Sequence, residues 1–326
     1  MTQMIKQLRK EDALFLAISI VVFVVFQFLM SERILSSFWR LNITVICLNI
    51  ILASSLNLIN GVTGQFSLGH AGLMAIGAYV SAVFTIFLHT PFIVSLIAGA
   101  GAAGLLGFLI GVPTLRLEGD YLAIATLGMG EIIRICILNI PQVGGASGLS
   151  GIPNETTFSW LFFSMIITLF VIKNILHSNK GRACLAVREN SIAAEAMGIN
   201  ITKTKVFAFT VASIFAGLAG ALFSHYFGIA HPSSFTFMRS FDIMTMVVLG
   251  GLGSISGSIV GAVILTFITA AMQSYPEYRM IVYALLLIVL MLYRPNGIFG
   301  SHEVAALIWG KWHKRGEKDG AVVENK

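Results

Sequence analysis

Leu41-Asn-Ile-Thr-Val-Ile-Cys-Leu-Asn-Ile-Ile-Leu-Ala-Ser-Ser-Leu-Asn-Leu-Ile59 runs for 19 residues without a charged side chain. At about 1.5 Å of rise per residue, a helix of that length matches the roughly 30 Å of hydrocarbon in a bilayer. The run passes into the polar, glycine-containing turn Asn60-Gly-Val-Thr-Gly-Gln-Phe-Ser67, and an apolar stretch at 66–88 follows.

Outward from this stretch the pattern repeats. Further apolar segments fall at 13–30, 92–112, 121–139, 158–176, 206–228, 255–273 and 279–293. A shorter one, 241–251, leads into Gly250-Gly251-x-Gly253. It reads as a half-helix or re-entrant segment, which is tolerated only when buried in protein or lining a cavity. Segment 13–30 follows Lys6, Arg9 and Lys10 but ends without a small-x-small cleavage site, so it reads as a retained first helix. The expectation is an all-α polytopic membrane protein of about ten transmembrane or re-entrant helices. Its parts are an N-terminus at 1–12, a transmembrane domain at 13–293 and a tail at 294–326.

Composition agrees. Of 326 residues, 56% are hydrophobic and 11% charged, where soluble proteins carry about 25% charged. Too little polar surface exists to cover a water-soluble core. The 32 glycines suit close helix contacts in a bundle. Cys47, Cys136 and Cys184 are too few and too scattered for a disulfide framework or zinc site. The net charge of +6 reflects basic cytoplasmic loops rather than nucleic-acid binding. With both termini cytoplasmic, the inside segments hold 16 of the 21 Lys and Arg and the outside segments four, Arg134 lying within a span.

Residues 140–157 are rich in Gly, Ser and Pro and lack Lys and Arg, which fits an external loop. Residues 177–205 differ. Their run from Arg182 to Gly198 is made of good helix formers, with Gly198 placed as a C-terminal cap. One or two short amphipathic helices are expected there. Ala186, Val187, Ala193, Ala194 and Met197 form a patch for a partner or for the membrane surface.

A weak repeat is visible. Gly64-Gln-Phe-Ser67 leads to Gly77-Ala-Tyr79, and Gly251-Leu-Gly-Ser254 leads to Gly257 and Gly261. Paired glycine-interrupted segments in two halves point to a translocation path. The polar amides Asn49, Asn57, Asn60 and Gln65 line a cavity or glue helices together; glue is the commoner role. Small-x3-small spacing at Gly107/Gly111, Ala216/Gly220 and Gly253/Gly257/Gly261 reads as helix packing.

Other chemistries fit poorly. No phosphate loop Gly-x4-Gly-Lys-[Ser/Thr] occurs, so ATP hydrolysis is not expected of this chain. No two of the seven histidines are three or four apart, which argues against a metal site. Gly145-Ala-Ser147-Gly148 matches the short motif of intramembrane serine proteases, with His225 in a later span. Ser147 falls in an external loop, so that enzyme reading is the weaker alternative. Glu131 and Arg134 share a helix face and read as a self-neutralising pair. Asp120 and Asp242 read as capping residues that open helices.

Several stretches together resemble the permease subunits of branched-chain amino acid ABC importers, of the LivM type. They are Leu56 to Gly72, Leu117-Glu-Gly-Asp-Tyr-Leu-Ala-Ile-Ala-Thr-Leu127, Gly144 to Pro153 and Gly181 to Ile199. Ala216 to Ala221, Leu249-Gly-Gly-Leu-Gly-Ser254 and Arg294-Pro-Asn-Gly-Ile-Phe-Gly300 complete the set. The resemblance covers roughly 40–300. It implies a bacterial plasma (inner) membrane subunit with both termini cytoplasmic. Its partners are a second, LivH-like permease, two ATP-binding-cassette ATPase subunits, an extracytoplasmic substrate-binding protein and membrane lipid. No cofactor is expected on this chain; ATP and Mg belong to the ATPase subunits.

The 177–205 loop then couples to the ATPases, with Arg182, Arg188, Glu189, Glu195, Ala196 and Gly198 as its residues. The fuller Glu-Ala-Ala pattern with a distal Leu-Pro is absent. Candidates bordering the path are Asn57, Gln65, Ser67, His70, Tyr121, Thr126, Gly251 and Ser254. A urea or amide ABC permease shares much of the pattern. A gradient-driven secondary transporter would need ion ligands or a proton relay.

Overall fold

A computed structural model describes residues 17–30, 36–275, 278–294 and 297–298. The N-terminal segment 1–12 and nearly all of the tail 294–326 lie outside the described residues. The helices are α1 (Ala17–Met30), α2 (Ser37–Asn57), α3 (His70–Phe87), α4 (Phe92–Thr114), α5 (Asp120–Leu138) and α6 (Phe158–His177). They continue as α7 (Asn179–Glu189), α8 (Ser191–Ala196), α9 (Ile201–Phe227), α10 (Phe237–Gly250), α11 (Ile255–Ala271) and α12 (Arg279–Tyr293). The chain is an all-α polytopic membrane protein.

Each of the ten apolar segments coincides with a helix. Among the described residues, six helices are long and apolar enough to cross a membrane: α2 with its extension to Val62, α3, α4, α5, α6 and α9. Among the described residues the helix lengths give six such spans and do not establish a count of ten. At 14 residues, α10 reaches only about 21 Å at 1.5 Å per residue, which is the half-helix expected.

Burial orders the bundle. The membrane-length window of α2 is 78% buried, that of α5 only 28%. A helix apolar all round and covered all round is the core of a bundle, and α2 takes that position. Its neighbours are α6, α9, α10 and α11, and α3, α4 and α9 pack on one another backbone to backbone. A Cβ on Gly77 would overlap the Gly217 carbonyl, and one on Gly220 the Met74 carbonyl. Gly107 and Gly111 of α4 face Ser213 and Phe209 of α9, as their spacing led one to expect. Gly257 and Gly261 bring α11 onto Gly250 and Met246 of α10. With few bulky side chains between helices, dispersion contacts are made by main chain.

At one end of the bundle two short strands, β1 (Leu149–Ser150) and β2 (Ile229–Ala230), pair antiparallel. They join the 140–157 loop to the turn after α9. The opposite end carries α7 and α8.

Two acidic residues sit differently from the sequence reading. Asp120 is the first residue of α5 and makes no capping hydrogen bond, since Gly119 holds the cap position. It meets the positive helix end by position alone. Asp242 is the sixth residue of α10, which begins earlier, at Phe237. Glu131 reaches this helix start instead: one carboxylate oxygen accepts the Phe237 N–H at 3.2 Å and the other pairs with Arg134 Nε at 2.7 Å.

Candidate functional site

The two glycine-interrupted turns meet. After Asn57, α2 widens into a π-turn over Leu58–Val62, a loop follows, and α3 starts at His70. Between α10 and α11 lies the second turn, 251–254. Asn57 bridges them: its amide donates to the Ser254 carbonyl at 3.0 Å and its Oδ1 accepts the Gly253 N–H at 2.8 Å. A broken helix leaves orphan backbone groups that hydrocarbon cannot satisfy. One side chain from the first break satisfies the Gly253 N–H at the second and adds a donor to the Ser254 carbonyl, which Ser258 also meets.

Neighbouring polar residues repair the first break. Asn60 Oδ1 accepts the Ser67 N–H at 3.3 Å, and its amide lies 2.9 Å from the Met244 sulfur. The Leu68 N–H donates to Thr126 Oγ1 at 3.1 Å. His70 Nε2 and Ser55 Oγ share a hydrogen bond at 2.9 Å. The Gln65 amide donates to the Lys205 carbonyl at 3.4 Å. Ser254 caps α11 by accepting the Gly257 N–H at 3.1 Å.

The structure thus gathers Asn57, Gln65, Ser67, His70, Thr126, Gly251 and Ser254 around the paired turns. All seven are buried. Tyr121 is 75% exposed on the first turn of α5 and does not join them. For the amides, the glue role is the one the hydrogen bonds show.

Replacing Asn57 with alanine would strand the Gly253 N–H in a buried site, while the Ser254 carbonyl would keep the Ser258 N–H and hydroxyl at 3.1 Å. A stranded group costs about 1–3 kcal/mol. Thermal unfolding of the purified chain should show a clearly lowered midpoint. Asn57→Asp keeps an acceptor for Gly253 but sets a buried carboxylate oxygen against the Ser254 carbonyl, so its midpoint should fall at least as far. A midpoint equal to that of the native chain in Asn57→Ala would mean the bridge carries no weight.

The coupling-loop candidate, residues 177–205, folds into two short helices. Ser178, Asn190 and Asn200 cap α7, α8 and α9 in turn, each side chain accepting an N–H of the first turn. Gly198 ends α8 at φ +84°. Its N–H donates to the Glu195 carbonyl at 2.9 Å and that of Ile199 to the Ala194 carbonyl at 3.0 Å, the paired bonds of a Schellman cap. Glu195, Ala196, Met197 and Gly198 are exposed, as is Ile192. The apolar patch differs from the one expected, because Val187 and Ala194 turn inward against the bundle. Ile192 and Met197 form its exposed part.

Of the coupling-loop candidates, Arg182 stays local, donating to the His177 carbonyl at 3.2 Å and to Asn179. Glu189 is mostly exposed, 3.8 Å from the Arg188 guanidinium. Arg188 reaches furthest. Its Nη1 donates to the Gly61 carbonyl at 2.6 Å, inside the π-turn of α2. On the same side Cys184 is fully buried with Leu58, Val62 and Ala208. Its thiol is pushed up from the ordinary value by burial. So α7 is bolted to the junction of the two breaks.

Sequence reasoning placed Arg188 in the loop but not its partner, which lies 127 positions earlier. It also missed the bond from Arg239 to Asn49 Oδ1 at 2.7 Å and the Lys205–Glu118 contact at 3.5 Å. Periodicity reports faces of one helix and is silent on such pairs.

No hydrogen bond links Ser147 to His225 among the described residues. His225 instead shares a hydrogen bond with Thr85 Oγ1 at 2.9 Å and lies 2.9 Å from the Ala221 carbonyl.

An all-α bundle with two broken helices meeting near the end that carries α7 and α8, and that helix pair bolted to the meeting point, is the architecture of a membrane transport subunit. The chain belongs to the family described as branched-chain amino acid transport system / permease component, whose profile matches residues 41–291. It is 37% identical over 290 residues to the high-affinity branched-chain amino acid transport system permease protein LivM of Salmonella typhimurium, covering 78% of this chain and 68% of that protein. To LivM of Escherichia coli K12 it is 38% identical over 291 residues, with the same coverage. To LivH of Salmonella typhimurium it is 32% identical over 215 residues, covering 64% of this chain and 65% of that protein. No solved structure matches the chain.

Proposed function

We propose that this chain is the LivM-type permease subunit of an ATP-binding-cassette importer of branched-chain amino acids. A LivH-like second permease completes the path, two ATPase subunits bind and hydrolyse ATP with Mg, and an extracytoplasmic protein delivers substrate. The observation that carries the reading is the continuous link from the exposed α8 through α7 and Arg188 to the paired helix breaks. A subunit without its own phosphate loop needs such a handle on a partner that has one.

In this reading 13–293 is the permease domain, 1–12 and 294–326 are cytoplasmic, and 177–205 docks on the ATPases. The excess of Lys and Arg in the segments on that side supports the orientation. Gentle detergent extraction followed by mass spectrometry tests the assembly. ATPase subunits and a second permease in fixed ratio are expected; a chain that emerges alone and intact refutes the coupling role.

Glu195, exposed on α8, tests the docking contact. Glu195→Lys places a like charge against a surface adapted to an acidic residue, which costs several kcal/mol at an interface. Leucine uptake should fall by about tenfold or more with the chain present at its normal level. Native uptake in that variant would remove Glu195 from the contact.

A further inference from the structure

At the end of the bundle that carries β1 and β2, a cavity of about 280 Å³ opens between α2, α9 and α10. One part of its wall is apolar, from Leu48, Phe223 and Phe227; the other is polar, from Ser234, Arg239 and Asp242. Arg239 and Asp242 are three apart, which puts both on one face of α10. Asp242 is 8% exposed, and Asn49 Oδ1 holds the Arg239 guanidinium at 2.7 Å. Ionisable groups at such a depth are costly and are retained for a function or a pairing.

We propose that this cavity is a low-affinity receiving site for an aliphatic α-amino acid zwitterion. The carboxylate is met by Arg239, the ammonium by Asp242, and the side chain lies against Leu48, Phe223 and Phe227. A guanidinium carries five N–H donors and a carboxylate about four acceptor positions, so both groups serve a ligand in addition to their protein partners. Neither sign alone fits: a simple anion would meet the aspartate and a simple cation the arginine. The site lies apart from the Asn57 junction, at the opposite end of the bundle from α7 and α8. The inference rests on the amino acid importer reading for its ligand class.

The test uses the full chain in native membranes. Cys136→Ser removes the exposed thiol; Cys47 and Cys184 are buried. Ser234→Cys then places a thiol in the cavity wall, and a membrane-impermeant maleimide labels it. Millimolar L-leucine is expected to slow labelling by about tenfold, the occupancy reached near ten times Kd. Isopentylamine, which lacks the carboxylate, and 4-methylpentanoate, which lacks the ammonium, should leave the rate unchanged. Asp242→Asn in the same background should abolish leucine protection and lower leucine uptake by about 10- to 100-fold.

Equal labelling with and without leucine, or equal protection by all three compounds, overturns the proposal. So does a Ser234→Cys thiol that never labels while Ser233→Cys, at the exposed rim, does. The Ser234→Cys rates are read with Asp242 intact, so they stand if Asp242→Asn fails to fold. Leucine uptake in cells with and without the chain separates the two readings. Chain-dependent uptake without protection defeats the cavity alone; protection without chain-dependent uptake defeats the importer reading alone.

Discussion

Arg188→Ala should release α7 from the bundle and uncouple the transporter. The guanidinium donates to the Gly61 carbonyl at 2.6 Å, a charge-assisted bond worth about 1.5–3 kcal/mol. Its loss shifts the balance between docked and undocked α7 by about 10- to 100-fold. Cys184 reports the change from the same helix. In the native chain it is fully buried and its thiol is pushed up by burial, so little thiolate is present at neutral pH and maleimide reacts slowly. In Arg188→Ala, made in the Cys136→Ser background, Cys184 labelling should rise by about tenfold or more and leucine uptake should fall. Arg188→Lys keeps the charge without the planar fork and should lie between. A Cys184 that stays inert, with uptake unchanged, would show that Arg188 is not what holds α7.

Gly61→Ala should prevent the two helix breaks from meeting. A Cβ at this position would overlap Asn57 Oδ1 and the Gly253 backbone nitrogen. Neither can yield: the Asn57 amide is held by two hydrogen bonds and Gly253 is main chain. Overpacking costs about 1–3 kcal/mol, and each bridge bond lost adds about 1 kcal/mol. Against a net stability of about 5–15 kcal/mol that is a large share. The amount of monodisperse chain after detergent extraction should fall by about tenfold. Gly101→Ala and Gly128→Ala, where a Cβ meets nothing within 4 Å, are the controls and should extract like the native chain. A Gly61→Ala chain that behaves like the controls would show that the junction tolerates a side chain.

The Gly61 position illustrates where sequence reasoning stops. Its glycine is one of 32, and nothing local marks it from Gly101 or Gly128. Only the approach of a turn 192 residues later makes a hydrogen atom the largest group that fits. The same holds for Asn57, which reads as an amide that glues or lines, and for Arg188, which reads as a loop cation.

What the sequence by itself determined is the set of elements and the class of protein. Span length and absence of charge act residue by residue through the cost of moving polar groups into hydrocarbon, so they survive in a linear reading. Caps are as local, and Gly198 ends α8 where its position in the run placed it. The start of α10 was decided otherwise, because Glu131, 106 positions earlier, satisfies the Phe237 N–H. Tertiary structure alone decided which helix is central, which amide joins the two turns, that Arg188 reaches Gly61, and that Arg239 and Asp242 face one cavity with apolar side chains from three helices. Those facts depend on distances between residues far apart in the chain, and hydrogen bonds and steric overlap act only across such distances once the bundle has closed.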